Sequence, residues 1–159
     1  PRKQCAPRVA SLIPPNSKEA ARWNLRVAGV GNRAQLTLPD RPEDSIRVVI
    51  AEFGGSVSHD VQLNYGGLSL MASHAYRLQF RVRAAAPRTV RFGVAKGNPP
   101  WSNIGLYEIL TVGADWQDVQ AQVAPESTEP NARIHFDEVQ PAVLVHQELD
   151  RPGVAVPDR

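Results

Sequence analysis

Seven side chains with planar, multiply hydrogen-bonding ends recur at alternate positions of apolar-polar runs. They are Gln62 and Asn64 in DVQLNY, Gln79, Arg81 and Arg83 in AYRLQFRVRA, and Gln120 and Gln122 in WQDVQAQVA. Amide and guanidinium groups each offer several directed hydrogen bonds, which suits a ligand rich in hydroxyls. A plain solvated face would carry more Lys, Glu and Thr. The apolar complement is an aromatic platform, and Trp101 is the first candidate because GNPPWSN surrounds it with turn formers and lacks the alternation that would bury it. Tyr107 is the second. Trp23, Trp116, Tyr65 and Tyr76 share the parity or position of core residues and are expected inside.

Chemistry beyond binding finds little support. The chain has no G-x-S-x-G elbow, no phosphate-cradling G-x-x-x-x-G-K-[ST] and no G-x-G-x-x-G. His59, His74, His135 and His146 lack zinc-ligand spacing, and the single cysteine, Cys5, excludes an internal disulfide. Each histidine reads singly as a surface or hydrogen-bonded residue. A glycosidase needs two carboxylates about 5 to 10 Å apart, whereas no acidic residue falls between Asp60 and Glu108, and Asp137-Glu138 reads as solvated charge near a strand end. The expectation is a protein that is not an enzyme.

The elements that must hold these residues are strands. Tyr76, Leu78, Phe80, Val82 and Ala84 alternate with Arg77, Gln79, Arg81 and Arg83, a period of two. The same rule predicts strands over 23–27, 33–38, 45–51, 60–65, 89–95, 104–112, 116–124, 132–139 and 142–149. About ten strands, with SKEAARW (17–23) the one helical suggestion, predict an all-β, antiparallel sandwich of the jelly-roll kind. Turn chemistry separates the runs at Pro39–Pro42, Gly54-Gly55, Gly66-Gly67, Pro87, Gly97–Pro100, Pro125–Pro130 and Pro141. The fourteen prolines are expected in tails and turns and inside no strand.

The 159 residues suit one domain. Residues 1–18 and 151–159 read as Pro-rich linkers and 19–150 as the sandwich, with the chain an excised piece of a longer protein. A formal net charge of +2 is too small to imply a nucleic-acid or membrane partner, and no apolar run approaches membrane-spanning length. The basic window of Arg77, Arg81, Arg83, Arg88, Arg91 and Lys96 is either a solvated face or a ligand-facing patch. Its aromatic residues fall on the apolar parity, which argues against stacking on nucleic acid.

The order and spacing of several segments resemble the carbohydrate-binding modules of the family 4 and family 9 types. The segments are Val61-Gln62-Leu63, Tyr76 through Ala84, Arg88, Leu110-Thr111 with Trp116-Gln117, and Ala132-Arg133 with Phe136, preceded by Trp23 and Leu25. The resemblance covers residues 23 to about 150. It implies a galactose-binding-like jelly roll, a non-catalytic domain that targets a larger protein to a polysaccharide or oligosaccharide along a concave sheet face or at rim loops. An extracellular, periplasmic or cell-surface location follows. With Arg81 and Arg83 as carboxylate partners, an anionic or acetylated glycan is expected. The alternative is a structural or protein-interaction sandwich that has lost glycan binding. The family's structural calcium is held by acidic groups from both ends; here those positions read PPNSKEAARW and VLVHQELD, with His146 where Asp is usual.

Overall fold

A computed structural model describes residues 8–12, 20–41, 45–54, 57–138 and 145–156. Its strands are β1 (Arg8–Ser11), β2 (Trp23–Val27), β3 (Arg33–Thr37), β4 (Ile46–Glu52), β5 (Val61–Leu70), β6 (Tyr76–Ala84), β7 (Arg88–Lys96), β8 (Asn103–Val112), β9 (Gln117–Val123), β10 (Glu129–Glu138) and β11 (Val145–Val156). A short 3₁₀ turn, Ser58–Asp60, leads into β5. One sheet, here the front, has the order β2-β5-β10-β7-β8. The back sheet has the order β3-β4-β11-β6-β9, with β1 added against β11. All recorded pairings are antiparallel.

Alternation in sequence becomes two inner faces in space. Leu63, Tyr65, Phe92, Ile134 and Phe136 of the front sheet meet Ile46, Ile50, Leu78, Phe80 and Val82 of the back sheet in one core. Phe80 crosses between the layers, with its ring edge-on to Phe92 and Phe136 at 5.2 Å each. Such pairs add roughly 0.5–1.5 kcal/mol beyond area burial. Tyr65 and Tyr76 are buried as expected, and Trp23 closes one end of the core, its indole Nε1 donating to the Leu12 carbonyl at 2.7 Å.

Several expectations are corrected. Residues assigned to the two linkers contribute to the back sheet: β11 runs to Val156, and β1 pairs with its second half where β4 pairs with its first. Gly66-Gly67 is no turn. Three steps of β5, Tyr65 to Leu68, oppose two of β10, Ile134 to Ala132, so the glycines form a bulge with Gly67 at φ 75°. Pro130 and Pro152 do lie inside strands, both at breaks in the ladder, where a missing donor is tolerated. Trp116 is only partly buried. Arg83 and Arg81 stack over its ring at 4.6 and 5.0 Å, so it belongs to the outer face of the back sheet. Of SKEAARW, Ala20–Arg22 form a turn before β2, and residues 17–19 lie outside the described residues.

Candidate functional site

The outer face of the front sheet is built in cross-strand rows. Asn24 on β2 faces Asn64 on β5, Asn64 faces His135 on β10, His135 faces Gly93 on β7, and Gly93 faces Tyr107 on β8. The next row runs Arg26, Gln62, Asp137, Arg91 and Ile109. From these rows Asn24, Arg26, Gln62, Asn64, His135, Asp137 and Tyr107 line a cleft of about 870 Å³, together with Asn131 and Arg133 of β10, Asn103 of β8, and Pro100 and Trp101 of the β7–β8 connection.

The polar floor is one hydrogen-bonded network. Arg133 Nη1 donates to Gln62 Oε1 at 2.6 Å and to Asn64 Oδ1, while its Nε donates to the Lys96 carbonyl at 3.1 Å. Gln62 Nε2 donates to Asp137 Oδ1 at 2.7 Å. The same carboxylate oxygen lies 2.9 Å from His135 Nδ1, which therefore carries a proton, and His135 Nε2 pairs with the Asn103 side chain at 2.8 Å. Gln62, Asn64, His135 and Asp137 are all buried. A satisfied network at low dielectric is rigid, so these groups meet a ligand already oriented.

The charges agree with that geometry. Burial raises the Asp137 carboxyl, but the His135 hydrogen bond and charge, with Gln62 and Arg133, outweigh it and hold it below its ordinary value. Burial lowers the Arg133 guanidinium, Asp137 opposes this, and the like charge of Arg26 lowers it further.

The aromatic groups stand above this floor. Trp101 is 51% exposed and Tyr107 45%. The loop holding Trp101 is fixed by bonds from Lys96 N to Ser102 O, Gly97 N to Asn131 O and Trp101 N to Asn98 O. A Cβ on Gly97 would meet the Asn131 carbonyl at 2.8 Å, so glycine is what lets the loop lie against β10. Trp101 has φ 62°, an unusual conformation for a bulky residue. Its ring lies 5.8 Å from the Arg133 guanidinium carbon. Tyr107 is tilted against His135 at 5.6 Å, over the gap left by Gly93, and Arg91 lies 5.9 Å from its ring.

Of the nine residues singled out from the sequence, Gln62, Asn64, Trp101 and Tyr107 come together in this cleft. Gln79, Arg81, Arg83, Gln120 and Gln122 do not join them. They lie on the outer face of the back sheet, where Gln79 faces Gln120, Arg77 faces Gln122, and Arg81 Nε lies 3.3 Å from Asp118. Parity assigns a side chain to a face of its own strand, and only topology assigns the strand to a sheet. The basic window divides in the same way: Arg81 and Arg83 stand at register positions opposite Asp150 and Glu148 of β11.

Arg133, His135 and Asp137 escaped the sequence reading, although their signal was present. The alternation that puts Ile134 and Phe136 in the core puts these three on the other face of β10. Within the cleft lining Asp137 is the one carboxylate among the described residues, and it is committed to His135 and Gln62. A second acid of the kind two-carboxylate hydrolysis uses is not among the described lining residues. Among the described residues no group of three or more His, Cys, Asp or Glu could hold a metal ion.

No protein-family model matches the chain, and no curated protein matches its sequence. Solved structures do match. A CBM4 structure superposes with a TM-score of 0.66 at 18% identity, over 84% of this chain and 86% of its own. The N-terminal cellulose-binding domain of Cellulomonas fimi β-1,4-glucanase C gives 0.61 at 16% identity, over 84% and 93%. The CBM22-1 xylan-binding domain of Paenibacillus barcinonensis Xyn10C gives 0.59 at 13% identity, over 96% and 94%. The two antiparallel sheets of this chain are therefore a β-sandwich with the fold of carbohydrate-binding modules.

Proposed function

We propose that the front-sheet cleft binds a polysaccharide chain without cleaving it, and that the protein serves as a targeting module for a larger protein. The observation that carries this is the pairing of two half-exposed aromatic rings, Trp101 and Tyr107, with a floor of prearranged amide and guanidinium groups. Aromatic rings suit the apolar faces of sugars and planar polar groups suit their hydroxyls, and little ordering is left for the moment of binding. Structures of similar fold include cellulose-binding and xylan-binding domains, which makes β-linked polymers the first ligands to try. Such polymers lie outside the cytoplasm, so the module works in the extracellular space, the periplasm or at the cell surface. No helix among the described residues is long and apolar enough to cross a membrane.

An anionic or acetylated ligand held by Arg81 and Arg83 would need the opposite face, since both lie outside the cleft. The test is native affinity electrophoresis through gels containing hydroxyethylcellulose, mixed-linkage β-glucan or xylan. Retardation by at least one polymer is expected, lost in Trp101→Ala and kept in Gln120→Ala. No retardation by any of them, together with a larger oligomer in solution, would instead establish a protein-interaction surface.

A further inference from the structure

Resting on that glycan-binding reading, we infer that the cleft prefers a glycan bearing uronic acid units, whose carboxylate is received by Arg26. The cleft is chemically lopsided. Its β7–β8 side carries Trp101 and Tyr107, and its β2 side carries Arg26 and His59. Four inter-strand spacings of about 4.8 Å separate β2 from β8, so roughly 19 Å lie between the backbones of Arg26 and Tyr107, with the Trp101 ring over Arg133 of β10 between them. A chain of several sugars can stack at one edge and present a substituent at the other.

Arg26 differs from the other cation of the cleft in what it has left to give. Arg133 commits Nε to the Lys96 carbonyl and Nη1 to Gln62 and Asn64, so Nη2 alone is left and its Nε–Nη2 edge is not open to a carboxylate. Arg26 has a side chain 48% exposed, and both of its contacts use Nη1, which donates to the His59 carbonyl and lies 3.8 Å from Asp60 Oδ1. Among the described residues its Nε and Nη2 donate no hydrogen bond. These two nitrogens form the edge of a guanidinium that binds a carboxylate through two parallel bonds. The Nη1 contacts hold that edge in place before a ligand arrives.

The charge balance points the same way. Two guanidiniums line the cleft against one carboxylate, Asp137, which is 3% exposed and turned to His135 and Gln62; Asp60 lies outside the lining, 3.8 Å from Arg26 on its Nη1 side. The like charge of Arg26 also acts on Arg133, after burial and the opposing charge of Asp137, so the two cations lie in one field. A carboxylate entering at Arg26 relieves that field, whereas a neutral hydroxyl does so only weakly.

The test compares glucuronoxylan with the same polymer after its carboxyl groups have been reduced to alcohols. With the native protein at low salt, the acidic form is expected to bind at least tenfold more tightly, and the difference should shrink as salt is raised. Arg26→Gln should bind both forms about equally. Equal binding of the two forms by the native protein, or a preference that survives in Arg26→Gln, would overturn the inference and leave glycan binding standing. Failure of the native protein to bind either form would also overturn the inference, and would remove the glycan-binding reading only if the hydroxyethylcellulose and β-glucan gels show no retardation either.

Discussion

Arg133 on β10 and Gln62 on β5 are joined by a 2.6 Å hydrogen bond from Nη1 to Oε1, and the guanidinium that makes it also underlies the Trp101 ring. One side chain thereby ties the polar floor of the cleft to its aromatic edge. Gln62 passes the order on to Asp137, and Asp137 to His135.

Removing the guanidinium should therefore damage stability and binding together. In Arg133→Met the Gln62 and Asn64 oxygens lose their donor while remaining buried, at a cost of about 2 kcal/mol. For a chain of this length that corresponds to a fall in Tm of roughly 4–8 °C. Calorimetry would show the fall, and titration with an oligosaccharide should show affinity reduced by more than tenfold. An Arg133→Met protein with native Tm and affinity would refute the role of Arg133 as the hub of the floor.

Gly93 is required by packing on both of its sides. A Cβ there would lie 2.5 Å from the Leu106 carbonyl and 3.1 Å from both His135 Nε2 and Tyr107 Cδ2. Gly93→Ala must push β8 away or part Tyr107 from His135, at roughly 1–3 kcal/mol. The expected result is a lower Tm and an affinity near that of Tyr107→Ala. Double substitution should then lower affinity little further, because both changes act on the same ring.

Acid should weaken the floor through Asp137. Its folded pKa lies below its ordinary value, so the stability it contributes is fully present above the unfolded value of about 3.9 and is lost as pH falls through the folded one. The difference in Tm between native protein and Asp137→Asn should shrink as pH falls below about 4. A difference that widened in acid would reverse the sign and refute the pairing.

The faces of strands were legible in the sequence, and their assignment to sheets was not. Tyr76–Ala84 alternates so regularly that β6 has the predicted bounds. Yet nothing in Gln79 or Arg81 tells that β6 and β9 lie behind the core while Gln62 on β5 lies in front, because sheet order depends on contacts far apart in sequence. The exposure of Trp101 was legible because turn residues surround it. Arg133, His135 and Asp137 were passed over because each, taken singly, resembles solvated charge or a lone histidine; only their shared parity on one strand marks them as a row. Gly66-Gly67 carries turn composition and forms a bulge, since glycine's freedom of φ serves both.

Trp101 joins exposure to backbone strain, and substitution can separate the two. At φ 62° a side chain with a Cβ is disfavoured, at a cost of order 1–3 kcal/mol, whereas glycine adopts that conformation freely. Trp101→Ala and Trp101→Gly should lose ligand affinity equally, since both remove the ring. They should differ in stability, with the glycine variant melting roughly 2–4 °C above the alanine variant for each kcal/mol of strain relieved. Equal melting temperatures would mean that the loop bonds from Lys96, Gly97 and Trp101 hold the turn without strain at this residue. A higher Tm for the glycine variant with binding abolished would mark Trp101 as a residue whose ring is worth its backbone cost only when a ligand is there to stack on it.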